Sequence, residues 1–308
     1  MPFNLASKFA IFPSLFKITF SFALDHRISF RLKFRFAKLR RHSRFVFLLG
    51  LLLGLVALTS VTGCALSANR SGLPGSQKIT RDQLVIHSNF HLPRQHRLLD
   101  ELAARRGDIT ELLEIPGSDE PIHVYLFEDR AQFQTYMLHS HPEFPNRRAF
   151  FVKDDTSLRV FAFWGARVGE DLRHEVTHGY LHSVVPNIPL WLDEGIAEYF
   201  EVTRGQQGIN GAHVHHLSAE FRKGDWQPDL GQLETLTSAS QLTQTQYAES
   251  WLWVHFLLSG DDESRAIVRE TLAELREHGV AEPILPKVRI RIPDYQTQLT
   301  LHLENLAR

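Results

Sequence analysis

The sequence predicts an α+β fold, with strands in its first half and helices in its second. Three observations carry this. Short alternating or apolar segments, bounded by Pro, Asp and Ser, fall between residues 84 and 163. A segment of helical period with two histidines one turn apart follows at 170–185, and the chain beyond it keeps helical spacing almost to its end.

Each element has its own signal. Residues 84–88 (LVIHS) alternate as a short strand, and 93–113 have helical spacing. Residues 122–127 (IHVYLF) form a strand between Pro121 and Glu128-Asp129, and Asp129 is placed to cap a helix running to Met137. Residues 150–153 and 158–163 pair about the polar turn Asp154-Asp155-Thr156-Ser157. In 170–185, Leu172, Val176, Leu181 and Val184 mark a buried side. Pro186 and Pro189 end that helix, and 190–202 (LWLDEGIAEYFEV) restarts as another. Residues 247–258 and 264–278 are further helices, with Trp251, Trp253 and Phe256 expected in the core.

The chemistry concentrates in His174-Glu175-Val176-Thr177-His178. Residues four apart on a helix share a face, so two such imidazoles can bind one metal ion, zinc being the usual occupant. Glu175 projects beside that face and can take a proton from a water polarised by the metal. A catalytic zinc needs a third protein ligand. The short turn at 186–189 folds the next helix back antiparallel and brings Glu194 over the histidine pair, with fifteen residues between it and His178. Glu198, one turn further, is expected to accept the second ring proton of a ligand histidine. His182 continues the row, but a rise of about 1.5 Å per residue puts it about 12 Å from His174 along the axis. It is therefore read as a packing residue. His213, His215 and His216 read as the exposed polar start of a helix, and Arg147-Arg148 as a solvated pair.

These residues resemble the gluzincin class of zinc metallopeptidases. There a helix carrying HExxH is followed by one carrying a glutamate ligand within an N/D-E-G-x-A sequence. Here that sequence is Asp193-Glu194-Gly195-Ile196-Ala197, after Trp191-Leu192. The likeness is close over 171–201 and looser over 122–308, which is similar to peptidase-like domains of bacterial envelope proteins. It implies a zincin-like arrangement: a small N-terminal sheet above the HExxH helix, then a helical C-terminal part. It further implies Zn2+ held by His174, His178 and Glu194, with Glu175 as base and a peptide or protein as substrate. Tyr247 or His255 would hold the oxyanion; Tyr247 is the candidate kept, while His255, inside an apolar stretch, is read as structural. The interval before Glu194 is shorter than in the aminopeptidase branch, so that specificity is not carried across. In zincins the strand before the metal helix is an edge that pairs with substrate. Residues 158–164 hold that place here, with an interior position the open alternative. Two other functions stand beside hydrolysis: a zinc site that only stabilises the domain, and an envelope protein that grips a polypeptide partner without cutting it.

Charge divides the chain. Ten of the 34 Lys/Arg but one of the 35 Asp/Glu fall in the first 64 residues, so 65–308 carry 24 basic against 34 acidic residues. That acidic balance gives no nucleic-acid footprint. Residues 1–44 read as a basic extension. Residues 45–64 combine an apolar run with Val61-Thr62-Gly63-Cys64, which resembles a bacterial lipobox. Cys64, the only cysteine, is the expected lipidation site. Residues 65–82 are expected to tether a metallopeptidase-like domain at 83–308. The expected location is outside the cytoplasm, lipid-anchored to the cell envelope.

Overall fold

A computed structural model describes residues 72–308. Cys64, the apolar run and the basic extension lie outside the described residues. Among those described, no helix is long and apolar enough to cross a membrane.

The fold is α+β: a five-stranded sheet, then helices. The strands are β1 (Gln77–Arg81), β2 (Leu84–Ser88), β3 (Ile122–Phe127), β4 (Ala149–Asp154) and β5 (Ser157–Phe163). Their order across the sheet is β1-β2-β3-β5-β4. β2, β3 and β5 run parallel, and the outer strands β1 and β4 are antiparallel to their neighbours. Helix α1 (Arg97–Leu113) links β2 to β3, and α2 (Arg130–Ser140) follows β3, capped by the Asp129 side chain as expected.

One expectation needs correction, and one pair of alternatives is decided. The segment 65–82 is not all tether, because β1 pairs with β2 from Gln77 onward. Its amide also grips Leu92: Nε2 donates to the Leu92 carbonyl at 2.8 Å and Oε1 accepts from the Leu92 amide at 2.7 Å. β1 buries only Ile79, so no alternation marks it; backbone pairing makes the strand. The strand at 157–163 is interior, between β3 and β4, and β4 is the edge. β5 pairs with β3 on one side and with its hairpin partner β4 on the other, so the earlier strand of the hairpin is outermost.

Period-two alternation splits the sheet's faces. Ile122, Val124, Leu126, Leu158, Val160 and Ala162 enter the main core. Phe127, Phe150 and Phe161 join Phe133, Tyr136 and Met137 of α2 in an aromatic cluster. Helix α3 (Val168–His182) packs on the main-core side, against β4, β5 and α1. Then come α4 (Leu190–Glu201), α5 (Gly211–Lys223), the single turn α6 (Leu230–Leu233), α7 (Gln244–Ser259), α8 (Asp262–His278), α9 (Ile284–Arg291) and α10 (Tyr295–Leu306).

The most extensive helix packing among the described residues is between α4 and α7. Gly195 permits it: a Cβ there would stand 2.5 Å from the Ser250 carbonyl oxygen and 2.7 Å from a Val254 methyl. α7 is buried on all sides from Ala248 to Leu258, which explains a sequence with little polar face.

Candidate metal centre

α3 and α4 form an antiparallel hairpin, and their facing sides carry the expected ligands. His174 Nε2 lies 3.2 Å from His178 Nε2 and 3.3 Å from Glu194 Oε2; the third side of this triangle, from His178 Nε2 to Glu194 Oε2, is 3.6 Å. Tetrahedral zinc with bonds of about 2.0–2.1 Å sets its ligand atoms about 3.3–3.4 Å apart. The triangle therefore fits three corners of such a site. Glu194 is buried, yet its Oε2 makes no well-formed hydrogen bond among the described residues. A buried carboxylate oxygen without a partner is costly, and a cation at this position removes the cost. His174, His178 and Glu194 thus form a group able to hold a metal ion.

Carboxylates hold the outer sides of both rings. Asp193 Oδ1 is 3.0 Å from His178 Nδ1, and its other oxygen is 2.9 Å from His182 Nε2. Glu201 Oε2 approaches His174 Nδ1 to 3.3 Å as a charge neighbour, without a well-formed hydrogen bond. Such partners fix ring orientation and raise ligand basicity. Glu198 does not take the place expected of it. It faces His213, whose Nε2 is 2.8 Å from Glu198 Oε2. α5 delivers that histidine to it, while Glu201, two turns beyond Glu194 on the same face, meets His174 instead. His213 is accordingly turned inward rather than solvated. His216 bonds Thr245 at 3.0 Å, and only His215 of the three is exposed.

The electrostatics favour positive charge between these carboxylates. Burial opposes a charge on His178, but Asp193 and then Glu194 outweigh it and raise its pKa to about 10. His174 is likewise raised well above its usual value, Glu194 and Glu201 overcoming burial. Burial pushes Glu194 upward, but the two histidines beside it win and bring it to about 2. Glu175 moves the other way: burial raises its pKa, and the nearby histidines only partly offset this.

Glu175 and His174 line an open cavity of about 360 Å³, with Glu198, Glu201, Arg147 and Tyr247 on its other walls. Tyr247, near the start of α7, accepts a 2.8 Å hydrogen bond from Arg147 Nη2. Arg147 and Arg148 are not merely solvated. Arg148 bridges Asp171 and Glu170, each at 2.8 Å. Phe151 of β4 stacks on His178 and His182, giving the histidine row an apolar wall. His255 lies away from these groups, buried against His302.

One sequence family matches, and it is described as a protein of unknown function (DUF1570). The match covers residues 171–275. It spans the ligand hairpin and Tyr247 but leaves out the sheet, and its description carries no activity. No curated protein gives a significant match. The places of Asp193, Glu201, Arg147 and His213 at the site are what sequence reasoning missed. Asp193 and Glu201 had a usable signal, an acid at i−1 and another at i+7 from the ligand Glu194; the other two had none.

Proposed function

We propose that the chain is a zinc-dependent metallopeptidase that hydrolyses peptide bonds, anchored outside the cytoplasm by a lipid on Cys64. The observation that carries this is the triangle of His174, His178 and Glu194 with Glu175 beside it on the wall of an open cavity. Structural zinc sites are closed, with four protein ligands, whereas this one has three, of which His174 lines a cavity together with Glu175. A nitrogen and oxygen donor set of this kind suits zinc.

Zinc, when bound, supplies a Lewis acid for a water and for the substrate carbonyl. Glu175 takes the proton of the attacking water and delivers it to the leaving amine. The Tyr247 hydroxyl donates to the oxyanion that develops as the carbonyl becomes tetrahedral. Asp193 and Glu201 hold the ligand rings in place. Ala149, at the start of the edge strand β4, also lines the cavity, which supports an extended peptide pairing along that edge. Cys64 and the apolar run before it support the lipid anchor and its attachment to the cell envelope.

The test is digestion of an unbiased peptide mixture, read by mass spectrometry, beside a Glu175→Gln variant with the same zinc content. Cuts that disappear in the variant are expected. Undiminished cutting by Glu175→Gln would overturn the assignment. Bound zinc with no cuts by either protein favours the binding reading, which the open cavity also accommodates.

A further inference from the structure

A second cavity, of about 320 Å³, lies on the α2 side of β4. Its apolar lining comes from Phe133 and Met137 of α2, from Phe144, and from Phe150 of β4. Leu138, 74 % exposed, stands among its lining residues and leaves the cavity open to solvent. Asn146 and Arg147 line this cavity and the metal-site cavity alike. One thin wall therefore separates a polar chamber holding Glu175 from an apolar one.

We propose that the apolar cavity receives one large apolar side chain, aromatic or long aliphatic, of the polypeptide bound at the metal centre. The inference rests on the peptidase reading and adds a substrate preference to it. The volume is at the lower end of small-ligand sites, about 300–1,000 Å³, which suits a single side chain rather than a folded partner. Successive side chains of an extended peptide point to opposite sides. A chain crossing Asn146 and Arg147 can thus present a carbonyl to the metal side and a neighbouring side chain to the α2 side. The adjacent walls fit this division. Phe151 faces the histidines, whereas Phe150 belongs to the aromatic cluster.

The test measures binding, so that it does not depend on turnover. The full chain carrying Glu175→Gln and loaded with zinc is titrated with two end-blocked peptides, one all alanine and one with a single phenylalanine. The phenylalanine peptide should bind about ten- to hundredfold more tightly, the gain expected from burying one such side chain. Gln134→Phe and Asn146→Trp each narrow the cavity from a different wall, and each should abolish the difference. Equal or undetectable binding of the two peptides overturns the proposal, as does a preference that survives both variants. The two readings fail separately. Cuts by the unsubstituted protein without apolar preference remove the cavity's role and keep the peptidase; selective binding without cuts does the reverse.

Discussion

The Arg147 guanidinium donates a 2.8 Å hydrogen bond to the Tyr247 hydroxyl and lies over the same ring, 5.7 Å from its centroid. Both residues line the metal-site cavity, and the pair joins the segment before β4 to the start of α7. Burial, and then the Glu194 charge, raise the tyrosine's pKa, which keeps the hydroxyl protonated and able to donate. Tyr247→Phe should lower kcat by about 10²–10³, the loss typical of one oxyanion donor, with KM little changed. Arg147→Gln should cost less, because it misplaces the hydroxyl without removing it. Steady-state kinetics on one fluorogenic peptide checks both; an unchanged kcat in Tyr247→Phe removes the residue from catalysis.

Asp193 supports two histidines with one carboxylate. Asp193→Asn keeps the shape but loses the charge that favours a cation among these rings. Zinc affinity should fall about 10–100-fold. Competition with a chromophoric chelator measures this directly, and an unaltered affinity would show that His178 needs no support.

Gly195→Ala should destabilise the fold by about 1–3 kcal/mol, since the new methyl meets the Ser250 backbone and only a shift of α4 or α7 relieves it. Urea denaturation of the zinc-free protein reads the loss. A neutral result would mean that the two helices separate at little cost.

Val160→Pro should abolish cooperative unfolding altogether. β5 is bonded on both sides, so a proline in it removes a ladder hydrogen bond that no solvent can replace. Native-like circular dichroism with lost peptide binding is the opposite outcome, and would place the strand at an edge.

Acid should weaken the packing of α7 on α10. His255 Nδ1 lies 2.8 Å from His302 Nε2, and burial, reinforced by His302, depresses the His255 pKa to about 4. Burial lowers His302 as well. The unfolded chain takes up these protons first, near its ordinary pKa of about 6.5. The stabilising contribution is therefore complete above that pH and lost as pH falls toward 4, on the order of 3 kcal/mol for His255. Denaturation midpoints across this window should fall for the natural protein and fall less for His302→Gln. Parallel pH profiles would disprove the linkage.

Much of the centre could be read in the sequence because it is local. His174, Glu175 and His178 sit on one helix, and Glu194 comes from the next across a short proline turn, so helical periodicity and a single reversal were enough. The remaining contacts depend on the chain returning from far away. Arg147 meets a tyrosine 100 residues on, and His213 reaches Glu198 from a separate helix. No spacing rule reports such meetings, which is why helical spacing points to Glu198 where Glu201 stands. β1 escaped for another reason: its five residues bury one side chain, and a strand held by its backbone leaves little trace in hydropathy.

The seating of α4 against α7 through Gly195 has an entropic consequence for the ion. The carboxylate of Glu194 is immobilised when the helices pack, so its rotamer freedom is lost on folding rather than on capture of the metal. Affinity is then a property of the whole helical half. Substitutions in α7 that touch no ligand should loosen the ion's grip, by returning to Glu194 the freedom that folding had taken away.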